Sequence, residues 1–121
     1  MSLRTKTVRV VTGGVVLYAL LVTLGVLLWR SPVLLAGIFA LASVVVLWLW
    51  RGSAARWMYV AAAILGPAGE YAAVRAGAWS YTDSAWLLPP WLPLAWGLTA
   101  AIFLRISQQL ASTPSGSTGS R

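Results

Sequence analysis

VVTGGVVLYALLVTLGVLLW, Val10 to Trp29, runs without a charge between Arg9 and Arg30. At 1.5 Å per residue, a helix of about 20 residues is about as long as the hydrocarbon core of a bilayer is thick. This segment could also be the apolar part of a signal peptide, since Arg4, Lys6 and Arg9 precede it. Its apolar run is too long for that, and GVLLWRSP lacks the small-x-small pattern of a cleavage site. It reads as a retained membrane span.

Three more segments repeat the pattern further along the chain: Val33 to Trp50 after the RSP break, Trp57 to Ala76 after RGSAAR, and Trp91 to Ile106 after LLPP. The second and fourth are short for a full crossing, so a difference in tilt or local thinning of the bilayer is expected. Composition agrees. Of 121 residues, 60% are hydrophobic and 9% charged, against about a quarter charged in a soluble domain. Lipid is the solvent this composition fits. The expected fold is all-α, an integral membrane four-helix bundle forming a single domain.

The net charge of +7 does not point to nucleic acid, because the basic residues sit singly or in small groups at the ends of apolar segments. That placement is the footprint of membrane topology. With the N-terminus in the cytoplasm, Arg4, Lys6, Arg9, Arg51, Arg56, Arg105 and Arg121 lie inside and only Arg30 and Arg75 outside. Trp48, Trp50 and Trp57 then mark the inner interface, and Trp29, Trp79, Trp86 and Trp91 the outer one. The expectation is a multi-pass protein of the bacterial cytoplasmic (inner) membrane with both termini cytoplasmic. Residues 1–9 form a basic N-terminus and 107–121 a disordered tail, since STPSGSTGSR has turn formers and no apolar period.

Lipid gives helices no hydrophobic reason to associate, so small residues must let their backbones approach. Gly14 and Gly25 share a stripe with Tyr18 and Leu21, and Ala36, Ala40 and Ser43 share another. The third span offers Gly66, Glu70, Ala73 and Gly77, and the fourth Pro93, Gly97, Ala100 or Ala101 and Leu104. Short loops make the first three spans antiparallel neighbours. Pro67 removes a hydrogen bond to the carbonyl of Ala63, so a kink or local unwinding is expected there. Gly66, Pro67, Gly77 and Gly97 are thus the structural positions.

Glu70 and Asp83 are the only acidic residues, and Glu70 falls inside a span. An ionised carboxylate in hydrocarbon is costly, so Glu70 must be protonated, paired or open to water. Counting along the third span puts it roughly 5 Å to the outer side of the midplane. The same count puts Trp96 about 4 Å to that side on the fourth span, and an indole N–H can donate to a carboxylate. Thr23 lies at a similar depth and is the second candidate partner, while Tyr18 lies lower. Arg75 is about 140° away from Glu70 round an ideal helix, so it is expected at the outer headgroups or paired with Asp83. The loop GAWSYTDSAWLLPPW carries Trp79, Tyr81, Trp86 and Trp91. These form either an interfacial aromatic belt or a lid over a cavity reaching down to Glu70.

No cysteine or histidine is present, which removes disulfides and the usual zinc and haem ligands. No metal ligand set, phosphate loop, nucleophile–base pair or cofactor motif is visible. Proton relays use several ionisable groups, and only one lies within a span.

The acid late in span three, the AGAWSY that follows and the PPWLPLAWGLTAAIF opening span four resemble a family of small uncharacterised bacterial inner-membrane proteins with four spans. Members commonly carry aspartate where this chain has Glu70. The resemblance implies the four-span layout and no mechanism. An acid followed by GAWSY and PWLP is also similar to stretches in larger membrane proteins of carotenoid and terpenoid biosynthesis. No catalytic residue is carried over from those.

Two functional expectations follow. In the first, the protein is a scaffold or accessory protein that binds lipid or a partner membrane protein through its small-residue faces. In the second, it is an enzyme or carrier for a hydrophobic, isoprenoid-like small molecule. Glu70 is then the general acid, and Trp79, Tyr81, Trp91 and Trp96 line the ligand pocket. Proton or ion conduction ranks last.

Overall fold

The protein is described by a computed structural model covering residues 2–81 and 88–112. Asp83, Trp86 and the tail from 113 onward lie outside those residues. The regular structure is entirely helical: α1 (Leu3–Leu28), α2 (Pro32–Leu49), α3 (Ser53–Arg75) and α4 (Leu92–Ser112). Of these, α1 and α2 are long and apolar enough to cross a membrane.

The helices outrun the apolar segments at one end of the bundle. Ser2 caps α1, its side chain accepting the Thr5 N–H at 3.1 Å, so the helix starts before the apolar run does. Arg4, Lys6 and Arg9 therefore ride on α1. At the other terminus α4 continues past the expected Ile106 to Ser112, which makes 107–112 helix rather than disordered tail. The apolar period stops at Ile106, yet Gln108, Gln109, Leu110 and Ala111 are helix formers in their own right. Gln109 Nε2 donates to Thr7 Oγ1 at 3.1 Å, joining the end of α4 to the start of α1.

Proline at the first turn of α2 suits its missing N–H. Of the kink or local unwinding expected at Pro67, unwinding does not occur: α3 runs unbroken from Ser53 to Arg75 with Pro67 inside it. Its end is sharp. Gly77, with φ +83°, follows the cap. Gly77 N–H donates to the Val74 carbonyl at 3.0 Å and Ala78 N–H to the Ala73 carbonyl at 2.9 Å. This is the Schellman arrangement that only a residue tolerant of positive φ completes cheaply.

Contacts along the helices set their directions. Thr7, Gly14 and Tyr18 of α1 meet Gln109, Ile106 and Phe103 of α4, so these two are antiparallel. Phe39 meets Trp91 near the start of α4, and Trp50 meets Arg105 near its end, so α2 runs parallel to α4. α3 runs back along α4, with Tyr59 at Gly97 and Ala54 in a small cleft with Leu104 and Arg105.

α4 is the hub and packs on all three other helices. The expected chain of sequence neighbours is thereby revised, because α3 packs chiefly on α4 rather than on α2. A polar pin joins α2 to α3: Tyr59 Oη donates to Ser43 Oγ at 2.6 Å, which donates to the Phe39 carbonyl at 2.7 Å. Leu35, Phe39, Leu98, Ala101 and Ile102 form the buried core between α1, α2 and α4, while no residue of α3 is buried.

Candidate functional site

Glu70 sits on the face of α3 turned to α4, one turn above Gly66. A Cβ at Gly66 would lie 2.2 Å from the Trp96 ring. The missing side chain thus lets the indole lie across α3 and aim its N–H upward. Trp96 Nε1 donates to Glu70 Oε1 at 2.8 Å, the contact that matched depths along the two helices suggested. Thr23 bonds instead to the Ala19 carbonyl of its own helix at 2.8 Å.

The second carboxylate oxygen accepts from Tyr81, whose hydroxyl donates to Oε2. The Gly77 turn brings Tyr81 back over the bundle. Glu70 is half-buried and held between two neutral donors, one on each oxygen.

Glu70 opens into a cleft of about 270 Å³, walled by Tyr18 of α1 and by Leu92, Ala95, Trp96 and Thr99 of α4. α4 is its floor, and α1 and α3 are its sides. A larger apolar groove of about 430 Å³ lies next to it, between α1, α2 and α4. Leu21, Gly25 and Val26 line that groove from α1 and Phe39 from α2, together with Trp29 just after α1 and Trp91 just before α4. Phe39 and Trp91 meet edge to face with centroids 6.2 Å apart, a favourable aromatic geometry. Tyr18, Ala95 and Thr99 line both spaces, so the two meet along that seam.

The expected ligand-binding aromatics therefore divide. Trp96 and Tyr81 contact Glu70, Trp91 belongs to the apolar groove, and Trp79 is 51% exposed and lines neither space. Tyr18, Gly25, Phe39 and Thr99 were not assigned to a site from the sequence. For Gly25 the signal was misread: it was grouped with Gly14 as a packing position. A Cβ at Gly14 would lie 2.8 Å from Ile106, whereas one at Gly25 would meet nothing within 4 Å.

Chemically, the cleft offers one acid and two hydroxyls, of Tyr18 and Thr99, beside an apolar space. Among the described residues no group of three or more potential metal-binding side chains occurs. Compared with known proteins, the chain matches no protein family, no curated protein and no solved structure.

Proposed function

We propose that this is a four-span protein of the bacterial inner membrane, with both termini cytoplasmic, that binds a hydrophobic small molecule from the bilayer and anchors its polar end at Glu70. The observation that carries this reading is the seam at Tyr18, Ala95 and Thr99, where the Glu70 cleft meets the apolar groove. The volumes, about 270 and 430 Å³, suit a small-molecule site, where ~300–1,000 Å³ is usual.

The membrane setting is supported by the outward residues of all four helices, among them Val26, Leu41, Trp57, Leu65 and Phe103. A contiguous apolar exterior of that kind is costly in water and ordinary in lipid. Orientation is supported by charge. Arg4, Lys6, Arg9, Arg51, Arg56 and Arg105 cluster at the end where α1 begins and α4 ends, leaving Arg30 and Arg75 at the other. The positive-inside rule makes the first end cytoplasmic.

One observation favours a second reading, a scaffold for a partner membrane protein. The side of α3 turned away from α4 exposes Ala61, Ala68, Gly69 and Ala72, residues that let another helix approach closely.

Mass spectrometry of what co-purifies with gently extracted protein, beside a Glu70→Gln variant, separates the two. A defined hydrophobic molecule lost in the variant is the expected result. A stoichiometric protein partner, or bulk lipid alone, retained equally by both forms would overturn the ligand reading in favour of the scaffold.

A further inference from the structure

We infer that the two spaces form one site for an amphiphile whose head donates hydrogen bonds, a hydroxyl or an ammonium, with the head at Glu70 and the hydrocarbon tail in the α1–α2–α4 groove. This rests on the ligand reading above and adds the chemistry of the ligand and its direction in the site.

The head is specified by Glu70. A carboxylate offers about four lone-pair positions and no donor. Trp96 and Tyr81 occupy one position on each oxygen, and both spend their own donors in doing so. What the acid presents to the cleft is the remaining acceptor capacity of its two oxygens. A hydroxyl or ammonium satisfies it. An ionised phosphate or carboxylate head would set acceptors against acceptors and leave the free positions of Glu70 unsatisfied. The site therefore selects against heads that offer only acceptors.

The tail is specified by the groove. Leu21, Gly25, Val26, Trp29, Phe39 and Trp91 present hydrocarbon and aromatic surface, which gains nothing from a polar guest. Tyr18 and Thr99 place hydroxyls at the seam between the two spaces, where an amphiphile passes from head to chain.

Gly25 lies in the lining of the same groove. Gly14, Gly66 and Gly97 are each needed because a neighbour's side chain fills the place of a Cβ. Gly25 has no such neighbour, since the place is open space. Packing does not require glycine there, nor at Gly13, Gly37 or Gly69, but of these four Gly25 is the one that lines the groove. A Cβ at this position meets no other residue, and a larger side chain there extends from a residue that lines the groove.

The test is photolabelling of the protein in phosphatidylcholine nanodiscs with a diazirine-bearing hexadecanol. Unlabelled hexadecanol, hexadecylamine and hexadecyl phosphate serve as competitors. Saturable labelling is expected in the peptide from Tyr18 to Trp29, with the alcohol and the amine competing at least about tenfold better than the phosphate, a factor of ten corresponding to ~1.4 kcal/mol. Gly25→Leu should reduce saturable labelling about tenfold at an unchanged Tm, and Glu70→Gln should bring the alcohol and the phosphate close to parity. The competition on the unaltered protein needs no variant, so it decides the head chemistry even if a substitution impairs folding. Equal competition by phosphate, or labelling indifferent to Gly25→Leu in a folded protein, overturns this inference and leaves the ligand reading standing. Absence of saturable labelling also overturns it. If in addition no molecule co-purifies in a Glu70-dependent way, the ligand reading falls with it.

Discussion

The two sides of α4 use the same residue types to opposite ends. On the side facing α3, glycines are keyed to aromatic rings: Gly66 under Trp96, and Gly97 under Tyr59, where a Cβ would meet the ring at 2.7 Å. That seam is closed, and it is how α3, with no buried residue of its own, is held. On the side shared with α1, Gly25 faces a groove rather than a ring, and Tyr18 stands 37% exposed over the cleft. A glycine in these helices marks close approach only where a neighbour fills the space its side chain lacks. Elsewhere it marks room.

Substituting along that comparison should give a graded series, read as thermal unfolding in detergent by circular dichroism. The largest effect is expected at the closed seam. Gly66→Ala pushes the Trp96 ring off α3 and with it the bond to Glu70, and Gly97→Ala displaces Tyr59. Each should cost about 1–3 kcal/mol, typical of overpacking, and lower Tm by roughly 4–8 °C per kcal/mol. A melting temperature unchanged by either would mean the rings do not hold α3.

Tyr59→Phe keeps the ring and removes only its donor to Ser43. Ser43 still bonds to the Phe39 carbonyl, so the loss should be that of one hydrogen bond, about 0.5–1.5 kcal/mol. Gly14→Ala should cost less again, about 1 kcal/mol at most, because its neighbour is the mobile tip of Ile106. Gly25→Ala should be neutral or stabilising by up to about 1 kcal/mol, since alanine is the better helix former and nothing lies in its way. A destabilising Gly25→Ala would place this glycine with the packing residues and erase the contrast.

The sequence announced the elements better than their arrangement. Uncharged runs marked α1 and α2, and the small-residue face of α3 at Gly66, Glu70 and Ala73 is the face that meets α4. The Glu70–Trp96 bond was legible because both residues lie on long helices, where residue count fixes depth. Tyr81 reaching Glu70 was not, because the path of the chain beyond Gly77 depends on a Schellman turn that residue count does not describe. The hub role of α4 was also hidden, since every helix offers some small-residue face and their competition is settled only in three dimensions. The extension of α1 beyond its apolar run has a readable signal in the Ser2 cap at Thr5, which apolar length does not register. Gly14 and Gly25 look alike in sequence; only the neighbour, Ile106 or open space, tells them apart.

The most direct test of an open site beside a closed core uses the absence of native cysteine. Single cysteines at Thr99, on the seam of the two spaces, and at Ala101, with no exposed surface, would be treated with N-ethylmaleimide in the folded, detergent-solubilised protein. Thr99→Cys should react at least about tenfold faster than Ala101→Cys, because a thiol reacts only where reagent can reach it, and added hexadecanol should slow it. Equal rates at the two positions, or a Thr99→Cys thiol as inert as the core one, would contradict the account.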